Sequence, residues 1–224
     1  MEDTIPTDVF KRTEANGELI SDGLYNLVIG LALCWGFAVN WWMVKNIPAA
    51  SIAAVHPLLF FAGYFALCLA GVWLFNSSRN PAVSFLGYNL VVVPFGFIIN
   101  LVVARYDPSL VLEAMRITGT VVAGMMVLGS LFPAFFRRIH GALTAALLLV
   151  IAVELVDIFF LHKDPGFIDW VVVFIFCGYV GYDWGRANSI PKTLDNAIDS
   201  AAALYMDIIN LFLRILRILG KRRR

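Results

Sequence analysis

The chain has 224 residues, of which 60% are hydrophobic and only 15% charged, with a formal net charge of +1 and a mean hydropathy of +0.80. That composition lies far to the apolar side of a soluble domain and predicts an integral membrane protein, while the near-zero net charge excludes a global electrostatic pull toward nucleic acid. A helical span needs roughly 20 mostly apolar residues, so the length accommodates seven such spans and little else.

Residues 1–20 are polar and mixed in sign and read as a cytoplasmic tail rather than a cleavable signal. Residues 21–219 form one membrane domain, with spans predicted near 22–43, 54–75, 83–104, 110–132, 141–161, 166–184 and 198–219. Residues 220–224 are a basic tail. The boundaries are set by Asn46-Ile47-Pro48, the polar run from Asn76 to Pro81, Asp107-Pro108 and Asp164-Pro165-Gly166, because proline and short polar residues end helices and start turns. The three cysteines, Cys34, Cys68 and Cys177, fall singly in different spans and read as packing residues.

Loop cations set the orientation. Lys11, Arg12, Arg79, Arg137, Arg138, Arg186 and Lys192 lie on the N-terminal side, against Lys45, Arg105 and Lys163 on the other, which predicts a cytoplasmic N-terminus, in the cell inner or plasma membrane if the chain is bacterial, an organelle membrane giving the same pattern. Lys221, Arg222, Arg223 and Arg224 disturb that count, since a complete seventh crossing places them outside. The last helix therefore either re-enters or crosses against the charge rule. The same four cations are a candidate site for anionic lipid.

An ionisable group at bilayer depth costs at least about 2.5–3.5 kcal/mol on insertion scales, so each needs a partner, water or a function. Asp183, in Gly181-Tyr182-Asp183-Trp184-Gly185, closes the sixth span, and Asp207 lies inside the seventh. If those helices pack together the carboxyls can meet, and two carboxyls in one desolvated site hold a proton between them and titrate as a unit. The alternative is that Asp183 caps a helix end while Asp207 pairs with Arg214 or a backbone donor. A second acidic set, Glu113, Glu154, Asp157, Asp164 and Asp169, gathers toward the opposite side and is a candidate outer cation vestibule of hard oxygen ligands. Against that stands Arg116, three residues after Glu113 and able to neutralise it. Asp169 and Asp183 share a face of the sixth helix about 21 Å apart, with no polar stripe between them.

The C-terminal third carries a resemblance. Gly181-Tyr182-Asp183, then Ala203-Leu204-Tyr205-Met206-Asp207-Ile208-Ile209-Asn210 with Arg217-Ile218-Leu219-Gly220, is similar in residues and spacing to the transmembrane Bax inhibitor motif family, and Leu110–Ala114 and Thr120–Gly129 look like that family's fourth span. The resemblance implies a bacterial-type member with an all-α fold of seven helices, six wrapping a central C-terminal one. It also implies a pH-dependent passive calcium leak governed by an aspartate pair, here Asp183 and Asp207. Bacterial members pair the first aspartate with an arginine near the end of the second helix. This chain departs there, reading Val72-Trp73-Leu74-Phe75, so Arg79 and Arg116 are the candidate latch cations.

The expected function is thus a proton-gated calcium channel or leak, not an enzyme, with no cofactor beyond the transported ion. A non-conducting membrane scaffold for a partner protein is the competing reading. An intramembrane aspartyl protease is a third, disfavoured because Asp207 follows Leu-Tyr-Met rather than Gly-x-Gly and no Pro-Ala-Leu occurs. His56, His140 and His162 are scattered at span ends, and the oligomeric state is not legible.

Overall fold

A computed structural model of the chain describes residues 18–157 and 166–222. Among these the secondary structure is entirely helical: α1 (Asp22–Asn46), α2 (Ala49–Ala53), α3 (Pro57–Ser77), α4 (Pro81–Val103), α5 (Pro108–Leu131), α6 (Pro133–Val156), α7 (Gly166–Ala187) and α8 (Leu194–Arg222). Residues 1–17 of the expected tail, Asp164, Arg223 and Arg224 lie outside the described residues. Six helices, α1 and α3 to α7, are long and apolar enough to cross a bilayer. The chain is a multi-pass integral membrane protein.

Local chemistry explains where the helices begin. Ser21 caps α1 by accepting the Leu24 N–H, and Asn80 caps α4 by accepting that of Ala82. The helices α3, α4, α5 and α6 each open on proline, whose missing N–H is one that the first turn cannot use anyway. Two expected boundaries move. The fifth span begins at Pro133, eight residues before the predicted 141, because Arg137, Arg138 and His140 continue the helix beyond the apolar core rather than forming a loop. The short α2 fills the segment taken as a plain connection between the first two spans.

The helices divide into two compact units, Met1–Arg105 with Ala187–Tyr205, and Tyr106–Arg186 with Met206–Arg224, so α8 contributes its first part to one and its remainder to the other. In the first unit α4 packs against α1 and α3. The buried stripe of α1, Tyr25, Ile29, Ala32, Leu33, Gly36, Asn40 and Met43, recurs at three- and four-residue intervals as a single helix face must. At Gly71 and Gly87 the backbones of α3 and α4 come so close that a Cβ on either would sit 2.6 or 2.8 Å from the other's carbonyl oxygen. Close approach through small residues is how helices associate where lipid removes the hydrophobic drive. The outward faces, among them Leu58, Leu59, Trp73, Phe174 and Leu149, are apolar and exposed, as a hydrocarbon solvent requires.

Several buried polar groups of the first unit are paired. Tyr205 donates its hydroxyl proton to Asn40 Oδ1 at 2.5 Å, Asn40 donates to the Val92 carbonyl at 3.1 Å, and Tyr88 donates to the Ala32 carbonyl at 2.9 Å. Ser84 donates to Asp195 at 2.7 Å, and the Tyr25 and Ser200 hydroxyls are 3.1 Å apart. Replacing Asn40 with Leu removes the 2.5 Å acceptor of the buried Tyr205 hydroxyl and leaves it only the long contact to the Val92 carbonyl at 3.5 Å. The expected loss is about 1–3 kcal/mol, read as a lowered midpoint of thermal unfolding in detergent. The paired change Asn40→Leu/Tyr205→Phe recovers part of it.

Candidate functional site

Three helices build the polar interior of the second unit. α7 carries Asp169 near its start and Asp183 near its end, α8 carries Asp207, Arg214, Arg217 and Lys221, and α6 carries Glu154. Glycines bring α7 close to its neighbours. A Cβ on Gly185 would lie 2.7 Å from the Gly129 carbonyl of α5, and one on Gly178 the same distance from the Leu143 side chain of α6.

Asp183 and Asp207 are 8% and 7% exposed, and their carboxyls are placed to hydrogen-bond to each other. Carboxylates are acceptors only, so such a bond requires a proton on one of the pair. Asp207 Oδ2 is buried without a hydrogen-bond partner among the described residues. The two carboxyls therefore face each other at a buried site of the second unit, where a shared proton would join them.

The cation facing Asp183 is Arg186, one helical turn further along α7. It is 7% exposed and donates through Nη1 to the Tyr182 hydroxyl at 2.6 Å. The same ring stacks on His140 of α6, with centroids 4.1 Å apart and planes inclined by 23°. An ordered His140–Tyr182–Arg186 array thus flanks the carboxyl pair. Sequence reasoning had counted Arg186 only as a loop cation; its position three residues after Asp183, on the same helix face, was the available signal. Of the candidate latch cations, Arg116 is exposed on α5 and Arg79 is exposed in the α3–α4 connection.

The second acidic set is only partly brought together. Arg214 grips Glu154 with both guanidinium nitrogens, at 2.5 and 2.8 Å, and reaches Asp169 at 3.0 Å. Asp169, 1% exposed, also receives Lys221 at 2.8 Å and Arg217 at 3.4 Å. Three cations of α8 therefore converge on two acids proposed for a vestibule. Glu113 is half-buried on α5, and Asp157 is half-buried at the C-terminal cap of α6. Arg214 was expected as an alternative partner of Asp207; it instead bridges α6 and α7, an arrangement no spacing rule in α8 discloses. Among the described residues, no three His, Cys, Asp or Glu side chains converge to hold a metal ion.

Comparison with known proteins finds similarity along most of the chain. The family model described as inhibitor of apoptosis-promoting Bax1 matches residues 22–224. The protein LIFEGUARD 4 of Arabidopsis thaliana is 29% identical over 215 residues, covering 83% of this chain and 85% of its own length. Bax inhibitor 1 of Schizosaccharomyces pombe is 31% identical over 179 residues, 77% of this chain and 66% of that protein. A membrane protein of Streptococcus pyogenes serotype M3 is 23% identical over 212 residues, 88% of this chain and 90% of its own.

Proposed function

Because the chain belongs to the Bax inhibitor family, we propose that it is a passive, pH-dependent cation leak with calcium as the transported ion, controlled by the proton shared between Asp183 and Asp207. The observation that carries the reading is that two buried carboxyls on different helices are placed to hydrogen-bond to each other. Removing the shared proton leaves two like charges facing each other in a site with little water, and their repulsion favours separating α7 from α8. Proton occupancy thereby becomes helix packing, the two-state element that a switch requires.

In this reading α8 is the seventh membrane helix and the centre of the fold. Its burial supports that position, since Ala201, Ala202, Leu204, Tyr205, Leu211 and Leu216 have no solvent exposure, and so does its dense load of polar residues, which need protein rather than lipid around them. The N-terminus faces the cytoplasm, placing the carboxyl pair toward that side and Asp169 toward the other. Glu154 and Asp169 receive a permeating cation only after Arg214 lets go of them, so the arrangement with Arg214 engaged is the closed one.

The test is calcium entry into dye-loaded proteoliposomes over the acid-to-neutral range, with native protein beside Asp183→Asn/Asp207→Asn. The expected result is native flux that varies with pH and variant flux that does not, because two amides carry no titrating proton. Flux absent at every pH from folded, inserted native protein excludes the leak and favours the scaffold. Flux equally pH-dependent in both assigns the sensor to other residues.

A further inference from the structure

Two cavities open side by side in the first unit, where α1 ends and α3 and α4 pass. One, of about 250 Å³, is bounded by Lys45, Asn46, Ile47 and Asn100; the other, of about 380 Å³, runs between α2, α3 and α4 past Leu59, Gly63, Tyr64 and Pro94. Ile47 belongs to both walls, so the two cavities adjoin there, and the smaller one is bounded by Lys45, Asn46 and Asn100. The larger is at the lower end of the size range of ligand sites.

Its frame is fixed rather than incidental. Asn100, 2% exposed, donates to the Met43 and Ile47 carbonyls at 3.1 and 2.8 Å, which ties the end of α1 to α4 and leaves its amide nitrogen committed. Lys45 lies 4.9 Å above the Trp41 ring, and Trp41 and Trp42 are both exposed. Lysine and tryptophan at a span end mark the depth of the lipid headgroups. The cavity beside Lys45 is therefore at headgroup level, and the larger one lies toward the hydrocarbon.

We infer that these paired cavities form a binding site for one phospholipid, with its phosphate on the Lys45 ammonium and one acyl chain along the groove beside Gly63. The ammonium supplies the complementary charge, and the groove at bilayer depth has hydrocarbon as its solvent, which fixes the chemistry of the occupant at both ends. Gly63 leaves the groove open, since a Cβ there would meet nothing within 4 Å. This site is independent of the carboxyl pair and of the leak reading.

The test titrates delipidated native protein, Lys45→Gln and Gly63→Leu with phosphatidylglycerol and with diacylglycerol of the same chains, counting adducts by native mass spectrometry. Native protein is expected to bind a single phosphatidylglycerol in preference to the diacylglycerol. Lys45→Gln should weaken that binding about fivefold, the worth of one interfacial cation, and erase the headgroup preference. Gly63→Leu should abolish the adduct, with an unfolding midpoint at least as high as native because leucine is the better helix former. Native-level phosphatidylglycerol binding by folded Gly63→Leu overturns the groove, and an unchanged headgroup preference in Lys45→Gln overturns the phosphate contact.

Discussion

Arg214→Met is expected to cost about 3–5 kcal/mol, because it strips the central cation from Glu154 and from nearly inaccessible Asp169 and leaves both acids undercompensated. Arg217 at 3.4 Å and Lys221 at 2.8 Å still reach Asp169, but Arg214 alone makes the two-nitrogen grip on Glu154. Thermal unfolding in detergent reads the loss. The control that assigns it to charge is the triple change Arg214→Met/Glu154→Gln/Asp169→Asn, which removes the acids along with the cation and recovers most of the stability. A triple variant no more stable than Arg214→Met would trace the loss to packing of the arginine stem instead. In proteoliposomes the single variant is expected to leak more calcium than native protein at every pH, since the acids it frees are those the native arginine occupies.

Gly129→Leu is expected to cost more than about 3 kcal/mol and to prevent recovery of folded protein in mild detergent, since overpacking against backbone has no side chain that can yield. A Cβ at Gly129 collides with the Gly181 carbonyl, and one at Gly185 with the Gly129 carbonyl, so the α5–α7 contact is backbone against backbone from both sides. The same substitution at Gly124, on the same helix with nothing within 4 Å of a built Cβ, should be neutral or slightly stabilising through helix propensity. Equal behaviour of the two variants would contradict the close α5–α7 approach. The same contact fixes the part of α7 that presents Asp183, and a conservative Gly129→Ala that still folds should already alter the pH dependence of flux.

How much of this was readable from the residues depends on the kind of signal. Helix limits marked by Asn80-Pro81 and Asp107-Pro108 fall within two residues of their expected places, because a proline at the first helical position is local chemistry. The start of α6 was misplaced by the opposite effect: Arg137 and Arg138 look like a loop to a hydropathy reading, but long basic side chains at a span end snorkel to the interface and let the helix run on. The meeting of Asp183 with Asp207 was anticipated from two acids in apolar runs and from the family pattern around them. The hydrogen-bonded pairing is what the family resemblance implies; the residues alone left open whether α7 and α8 pack together.

The charge cluster was the larger omission. Arg214, Arg217 and Lys221 recur along α8 at three and four residues, a face that spacing does display. Which acids that face meets is set by how α6 and α7 lie beside it, and sequence separation of 60 residues between Arg214 and Glu154 carries no such information. Tyr205 with Asn40 is the same case: the tyrosine was part of the recognised motif, but its buried partner 165 residues away on α1 appears only in the folded chain.

The most direct measurement of the central claim is an infrared pH titration of the protonated carboxyl stretch in reconstituted protein, recorded alongside calcium flux. A band that is present in native protein, is lost or displaced in both Asp183→Asn and Asp207→Asn, and disappears over the same pH interval in which flux changes is the predicted result. The two carboxyls then share a proton whose departure changes conduction. A native protein with no protonated carboxyl band while the two aspartates remain packed together, or a band that titrates with no accompanying change in flux, would contradict the account.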